Sequence, residues 1–331
     1  MKNRRFAAFA WSVLAYNILV FMSGAFTRAT GSGAGCGSHW PLCNGEVVPR
    51  SPELATIIEY AHRTTSGLAG VLVIALLVWA WRAFPSGHLV RRGSVLSLVF
   101  IIVEGLVGAG LVRFEWVGDN ASVMRAVIMA VHLTNTFILL SALTMTAWWA
   151  STIDAADSQP RSYLRHTDAR SWLLGLALLL ILIVSAAGAV TALGDTLFPA
   201  TSLGQGVSRD FSPAAHFLER LRVWHPFLAV FTAIYIFSMV ARLSVEPAPV
   251  VARQLSRAVQ ILVATQIAVG AINLILLAPV AMQLIHLFMA DMVWIGLVLL
   301  TATTLEEKER LPSSEAAQPE AAQPLRRVVE H

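Results

Sequence analysis

Eight stretches of this chain run for about twenty residues each with almost no charge: 7–27, 57–81, 94–112, 123–149, 172–193, 222–242, 257–277 and 280–304. As a helix, each is long enough to cross ~30 Å of hydrocarbon. Lipid offers the backbone no hydrogen-bond partner, so a run of this length must satisfy its own amides as a helix. Only 13% of the residues are charged, against roughly one quarter in a soluble domain. The expected fold is an all-α membrane protein with eight transmembrane helices. Lys2, Arg4 and Arg5 ahead of the first run look like the start of a signal peptide, but the apolar core is too long for one.

The net charge of +4 does not point to nucleic acid, because the basic residues are spread among short loops. They read instead as topology signals. With the N-terminus in the cytoplasm, 16 of the 24 Lys and Arg residues fall on the inner side. The positive-inside rule then puts both termini in the cytoplasm of a bacterial plasma membrane.

The chain carries an internal duplication. Gly24-Ala-Phe-Thr27 in span 1 recurs as Gly188-Ala-Val-Thr191 in span 5, 164 residues on, and Glu104-Gly-Leu-Val-Gly108 in span 3 recurs as Gln266-Ile-Ala-Val-Gly270 in span 7, 162 residues on. His62 in span 2 maps to His225 in span 6, and His132 in span 4 to His286 in span 8, with offsets of 163 and 154. Four matches in one order predict two pseudo-symmetric four-helix bundles. An even number of spans per repeat relates them by an axis along the membrane normal. The boundaries follow: 1–150 for the first half, 151–171 for a charged cytoplasmic linker, 172–304 for the second half, and 305–331 for a polar, disordered cytoplasmic tail.

Nine histidines are present. His39, His88, His166, His216 and His331 fall in loops or at the terminus and read as surface residues. His62, His132, His225 and His286 lie near the outer ends of even-numbered spans, two per repeat. One intramembrane histidine is often a hydrogen-bonded packing residue; four at matching depth point to ligation. Neutral imidazole suits iron, and facing helices of a bundle can supply both axial ligands of a haem. Zinc would want further ligands close by, and the two cysteines lie in a loop. Each half is therefore expected to hold one haem, on His62 with His132 and on His225 with His286.

The halves differ around those ligands. Glu59 stands three residues before His62, on the same helical face, where the second half has Arg222; Pro226 replaces Arg63. A carboxylate beside a haem can move protons or stabilise a cation, whereas an arginine suits a haem propionate. Arg222 and Arg63 are the candidate propionate contacts, and the first half is the expected seat of reaction. Cys36 and Cys43, in the first outer loop, face the oxidising side and are compatible with a disulfide, as a structural staple or as a redox pair. Glu104, Asn273 and Asp291 are further intramembrane polar residues: a proton route is one reading of Glu104, and interhelix contact is the reading of the other two.

The run Glu59-Tyr-Ala-His62-Arg63, the pair Cys36-x6-Cys43 and the stretch from Gly270-Ala-Ile-Asn through His286 to Asp291 together resemble haem A synthase, across spans 1 to 8. The resemblance implies oxidation of the C8 methyl of haem O to the formyl of haem A, for cytochrome oxidase biogenesis. It implies His62 and His132 as ligands of the substrate haem, Glu59 as the catalytic carboxylate, and His225 and His286 as ligands of a haem b that is not turned over. It implies a Cys36–Cys43 disulfide that relays reducing equivalents from an unknown electron donor. The implied partners are haem O synthase, cytochrome oxidase assembly components and membrane lipid. The sequence departs from the family pattern at Pro226, in having no second cysteine pair, and at Glu104, where glutamine is expected.

Two other classes compete. A dihaem b-type electron-transfer cytochrome also uses paired histidines, but needs no carboxylate beside one haem. A repeat transporter would place its polar residues near the midplane; here they gather toward one end.

Overall fold

The computed structural model describes residues 3–50, 52–153, 168–243 and 250–310. Its helices in chain order are α1 (Arg4–Ala29), α2 (Leu54–Ala83), α3 (Leu89–Arg113), α4 (Val123–Thr152), α5 (Ala169–Leu197), α6 (Leu203–Asp210), α7 (Phe217–Arg222), α8 (Trp224–Leu243), α9 (Val250–Ile275) and α10 (Val280–Arg310). Among the described residues, eight spans are long and apolar enough to cross a membrane, with α7 and α8 together forming the sixth. The molecule is an all-α, multi-pass membrane protein.

The ends of these helices follow from local chemistry. Asn3, Ser122 and Asp168 each accept a backbone N–H three residues on, capping α1, α4 and α5. His88 caps α3 and is buried at 2% exposure, packed on the Phe84 ring 4.6 Å away. That corrects its assignment to the surface. His166 and His331 lie outside the described residues, as do most of the linker and residues 311–331. The helix α10 runs on to Arg310, past the boundary assigned at 305.

In the first half, α1 packs on α2 and α4, and α3 packs on the same two, closing a ring of four. In the second, α5 packs on α8 and α10, and α9 on the same two. Between the halves α4 meets α5 and α10, while α1 meets α10 and α5. Exchanging α1 with α5 and α4 with α10 maps this pattern onto itself, the relation a duplicated bundle has to obey.

Close backbone approach holds helices together in lipid, where apolar side chains gain little by leaving the tails. A Cβ on Gly93 of α3 would stand 2.3 Å from Thr146 Oγ1 of α4, so only glycine allows that crossing. The rings of Phe6, Trp79 and Phe84 pack edge to face in the first-half core. Among the described residues, two polar ties join the halves. Trp294 Nε1 of α10 donates to Phe137 O of α4 at 2.6 Å. Arg28, in the last turn of α1, donates to Ala192 O and Thr196 Oγ1 of α5 at 2.7 Å each, and to Gln283 Oε1 of α10 at 2.8 Å. Rows such as Val71, Ile74 and Val78 on α2 stay exposed, the face that lipid would cover.

Candidate functional site

The four span histidines fall at the end of the bundle that carries the cysteine loop, two in each ring of helices. Their surroundings decide which ring nitrogen each presents. Ser23 Oγ of α1 lies 2.8 Å from His62 Nδ1 and gives its own proton to Val20 O. The hydroxyl therefore accepts, Nδ1 carries the hydrogen, and the Nε2 lone pair of His62 is left for a ligand. His225 Nδ1 faces Val184 O of α5 at 3.2 Å. A carbonyl can only accept, so Nδ1 is again the N–H and Nε2 is again free. The equivalent of Ser23 is Ala187, which has no hydroxyl, so the main chain takes over that role.

Three of the four rings press on a glycine of the duplicated motifs. A Cβ on Gly24 would lie 2.9 Å from His62 Cε1, one on Gly188 3.0 Å from His225 Cε1, and one on Gly270 2.8 Å from His286 Cε1. The sequence marked these glycines only as signs of duplication. What they do is leave each imidazole room to lie against the neighbouring helix.

The remaining pair differs between halves. Glu104 Oε1 of α3 approaches His132 Nδ1 to 3.3 Å, without the alignment of a full hydrogen bond. In the second half Gln266 Nε2 lies 3.4 Å from His286 Nε2, and His286 Nδ1 is buried with no partner.

These features fit a group held between two imidazoles. The His225 and His286 rings are 6.2 Å apart at their centroids and nearly perpendicular. His62 and His132 stand within electrostatic reach of one another, with Glu104 beside them. Among the described residues no cluster of three or more His, Cys, Asp and Glu side chains could hold a metal ion. A macrocycle would supply its own donors, so two histidines would suffice as protein ligands.

Glu59 and Arg63 do something the sequence did not disclose. Glu59 is buried at 3% exposure. Its Oε2 accepts the Cys36 N–H at 2.8 Å, and its Oε1 accepts Arg63 Nε at 3.1 Å and Nη2 at 2.5 Å. Arg63 Nη1 donates to His39 O and Leu42 O, both at 2.7 Å. Thr56 Oγ1 adds a bond to Gly35 O at 2.7 Å. The loop thus gripped is closed by a Cys36–Cys43 disulfide, with both sulfur residues buried. Arg63 divides its donors between Glu59 and this loop.

Arg222 occupies the equivalent station with opposite charge and also braces an outer loop. It donates to Asp210 and Asp195, with Nη2 2.8 Å from Asp210 Oδ1 and Nη1 3.2 Å from Asp195 Oδ1, and reaches Phe198 O at 3.1 Å. Burial holds the Asp210 carboxyl above its ordinary range, against the pull of Arg222. The segments thus braced include α6 and α7, which the sequence reading left as loop before residue 222. Ser202 caps α6, and His216 with Glu219 forms a capping box at α7. Pro226 sits in the first turn of α8, where a missing N–H costs nothing.

Comparison with known proteins follows the same chemistry. A family model described as cytochrome oxidase assembly protein (COX15-CtaA) matches residues 7–298. A protein of Thermus thermophilus named protoheme IX farnesyltransferase is 49% identical over 303 residues, 91% of this chain and 49% of that protein. A heme A synthase of Halalkalibacterium halodurans is 50% identical over 97 residues, 29% of this chain and 33% of that protein. Another, from an Exiguobacterium strain, is 30% identical over 194 residues, 59% of this chain and 60% of that protein. The chain thus spans about half the length of the Thermus relative it matches.

Proposed function

Since the chain belongs to the COX15-CtaA family of cytochrome oxidase assembly proteins, we propose that it is a haem A synthase, oxidising the C8 methyl of haem O to the formyl of haem A. The observation that carries this reading is the duplicated histidine pair, with the Nε2 lone pairs of His62 and His225 both left free. Haem is the group these pairs suit: its iron supplies the one-electron and oxygen chemistry that protein side chains lack. Two heme A synthases among the relatives support the reaction.

In this reading residues 1–150 form the substrate half, with His62 and His132 holding haem O. Residues 172–304 form the cofactor half, with His225 and His286 holding haem b. Residues 151–171 join the two on the cytoplasmic side of a bacterial plasma membrane, where both termini lie. Glu59 is the only acid within α2 and stands one turn from His62. It serves as the carboxylate of the reaction, with Oε2 the atom that holds or passes a proton beside Cys36. The Cys36–Cys43 pair relays reducing equivalents from an external donor. Arg63 and Arg222 contact the haem propionates, from guanidinium groups steadied by the loops they brace. The Thermus relative is named for farnesyl transfer to protohaem IX, which supports haem O synthase as the partner supplying the substrate.

The test is direct. The full chain is expressed with a source of haem O, and the haems are extracted with acid acetone and separated by chromatography. Haem A and its hydroxylated intermediate are the expected products. Folded, haem-loaded protein that yields neither would overturn the enzyme reading and leave the b-type cytochrome. Glu59→Gln is expected to bind haem and lose haem A formation; full activity in that variant would remove Glu59 from the reaction.

A further inference from the structure

The first-half histidine pair has something behind one ring that the second lacks. Glu104 Oε1 approaches His132 Nδ1 to 3.3 Å. The carboxylate is seated by the two residues that follow His132 by one helical turn. Asn135 Nδ2 donates to Oε2 at 2.5 Å, and Thr136 Oγ1 donates to Oε1 at 2.6 Å. Asn135 also donates to Phe100 O of α3 at 3.0 Å, which fixes the amide that does the seating. The offsets of the duplication put Gln266, Met289 and Ala290 at these three stations of the second half. There the amide meets His286 Nε2 at 3.4 Å, and its own Oε1 is buried without a partner. An acid with two built donors has become an unseated neutral group.

Resting on the assignment of His132 as an iron ligand, we infer that Glu104 is a positioning residue. Its carboxylate, already 3.3 Å from His132 Nδ1, closes onto that N–H when the ring ligates, aims Nε2 at the haem and makes this imidazole a stronger donor than that of His286. An outer carboxylate on a ligating histidine fixes the tautomer and raises ligand basicity. The stronger donor favours ferric over ferrous iron, so the first-half haem is the harder of the two to reduce. A carboxylate that only glued α3 to α4 would leave the iron's preference untouched.

The experiment is a spectroscopically resolved redox titration of the full-length, haem-loaded protein. Loss of an outer-shell partner typically changes metal affinity by 10–100-fold. Glu104→Gln is expected to cost at least tenfold in the preference for ferric iron, a rise in the first-half midpoint of about 59 mV at one electron per tenfold. The second-half midpoint stays in place. Thr136→Val keeps the carboxylate and removes one of its two seats; it shifts the same midpoint in the same direction by less, and carries the test if Glu104→Gln does not fold. First-half midpoints unchanged in the folded variants, with both haems bound, would overturn the inference. Wild-type protein that holds haem only on His225 and His286 would overturn the site assignment beneath it, which separates the two failures.

Discussion

Gly270→Ala tests whether the glycines set the ligand geometry. The added Cβ would fall 2.8 Å from His286 Cε1, while ordinary contact begins near 3.4 Å. The ring must therefore move by about 0.6 Å, because the helix backbone behind it cannot. Binding sites tolerate roughly 0.5 Å of misplacement, and overpacking by one methyl typically costs ~1–3 kcal/mol. At about 1.4 kcal/mol per tenfold, haem on the second-half pair should dissociate roughly ten- to a hundredfold faster. The assay is transfer of haem to an apo-globin acceptor, followed optically on detergent-solubilised protein, with the first-half haem as internal reference. Gly175→Ala is the control: nothing lies within 4 Å of the added methyl, and the site is remote from the histidines. A wild-type dissociation rate in Gly270→Ala, or equal acceleration in Gly175→Ala, would refute the reasoning.

Arg63→Lys should release the cysteine loop even though charge is kept, because one ammonium cannot replace a fork that spans Glu59 and two carbonyls. The two Nη1 bonds to His39 O and Leu42 O are lost, and bonds to a charged group are worth ~1.5–3 kcal/mol each. Faster hydrogen exchange at residues 36–46 is the expected readout, and wild-type protection in the lysine variant would contradict it. Arg28→Ala removes three hydrogen bonds from a cation that joins the halves. Such bonds are worth ~1.5–3 kcal/mol each, so thermal stability in detergent should fall by ~4.5 kcal/mol or more. An unchanged melting curve would show that the halves hold together without it.

The spans were legible because lipid leaves a chain so few choices: twenty apolar residues in a row fold in only one way. The histidine pairs were legible through repetition, since chance does not place His62 and His225 at one depth in matching helices. The glycines were visible but mute. A motif such as Gly24-Ala-Phe-Thr27 declares duplication, while the ring pressed against it comes from a helix some forty residues away. Glu59 was read incompletely for the same reason. Its three-residue spacing from His62 is a local fact; the Cys36 amide it accepts is not. The short helices α6 and α7 escaped because eight and six residues leave no periodicity to read, and their signals are single caps at Ser202 and His216. His88 escaped because nothing in its neighbours says that a loop residue will be buried.

Arg28 has a consequence for how matter and charge can move through the molecule. Repeat-built membrane proteins that carry solutes do so by rocking one half against the other. Here a single guanidinium at the end of α1 is tied to two helices of the opposite half, and Trp294 pins the same two halves farther along α10. A chain fastened at two depths cannot hinge between them. The gap between the histidine pairs is then a constant of the fold.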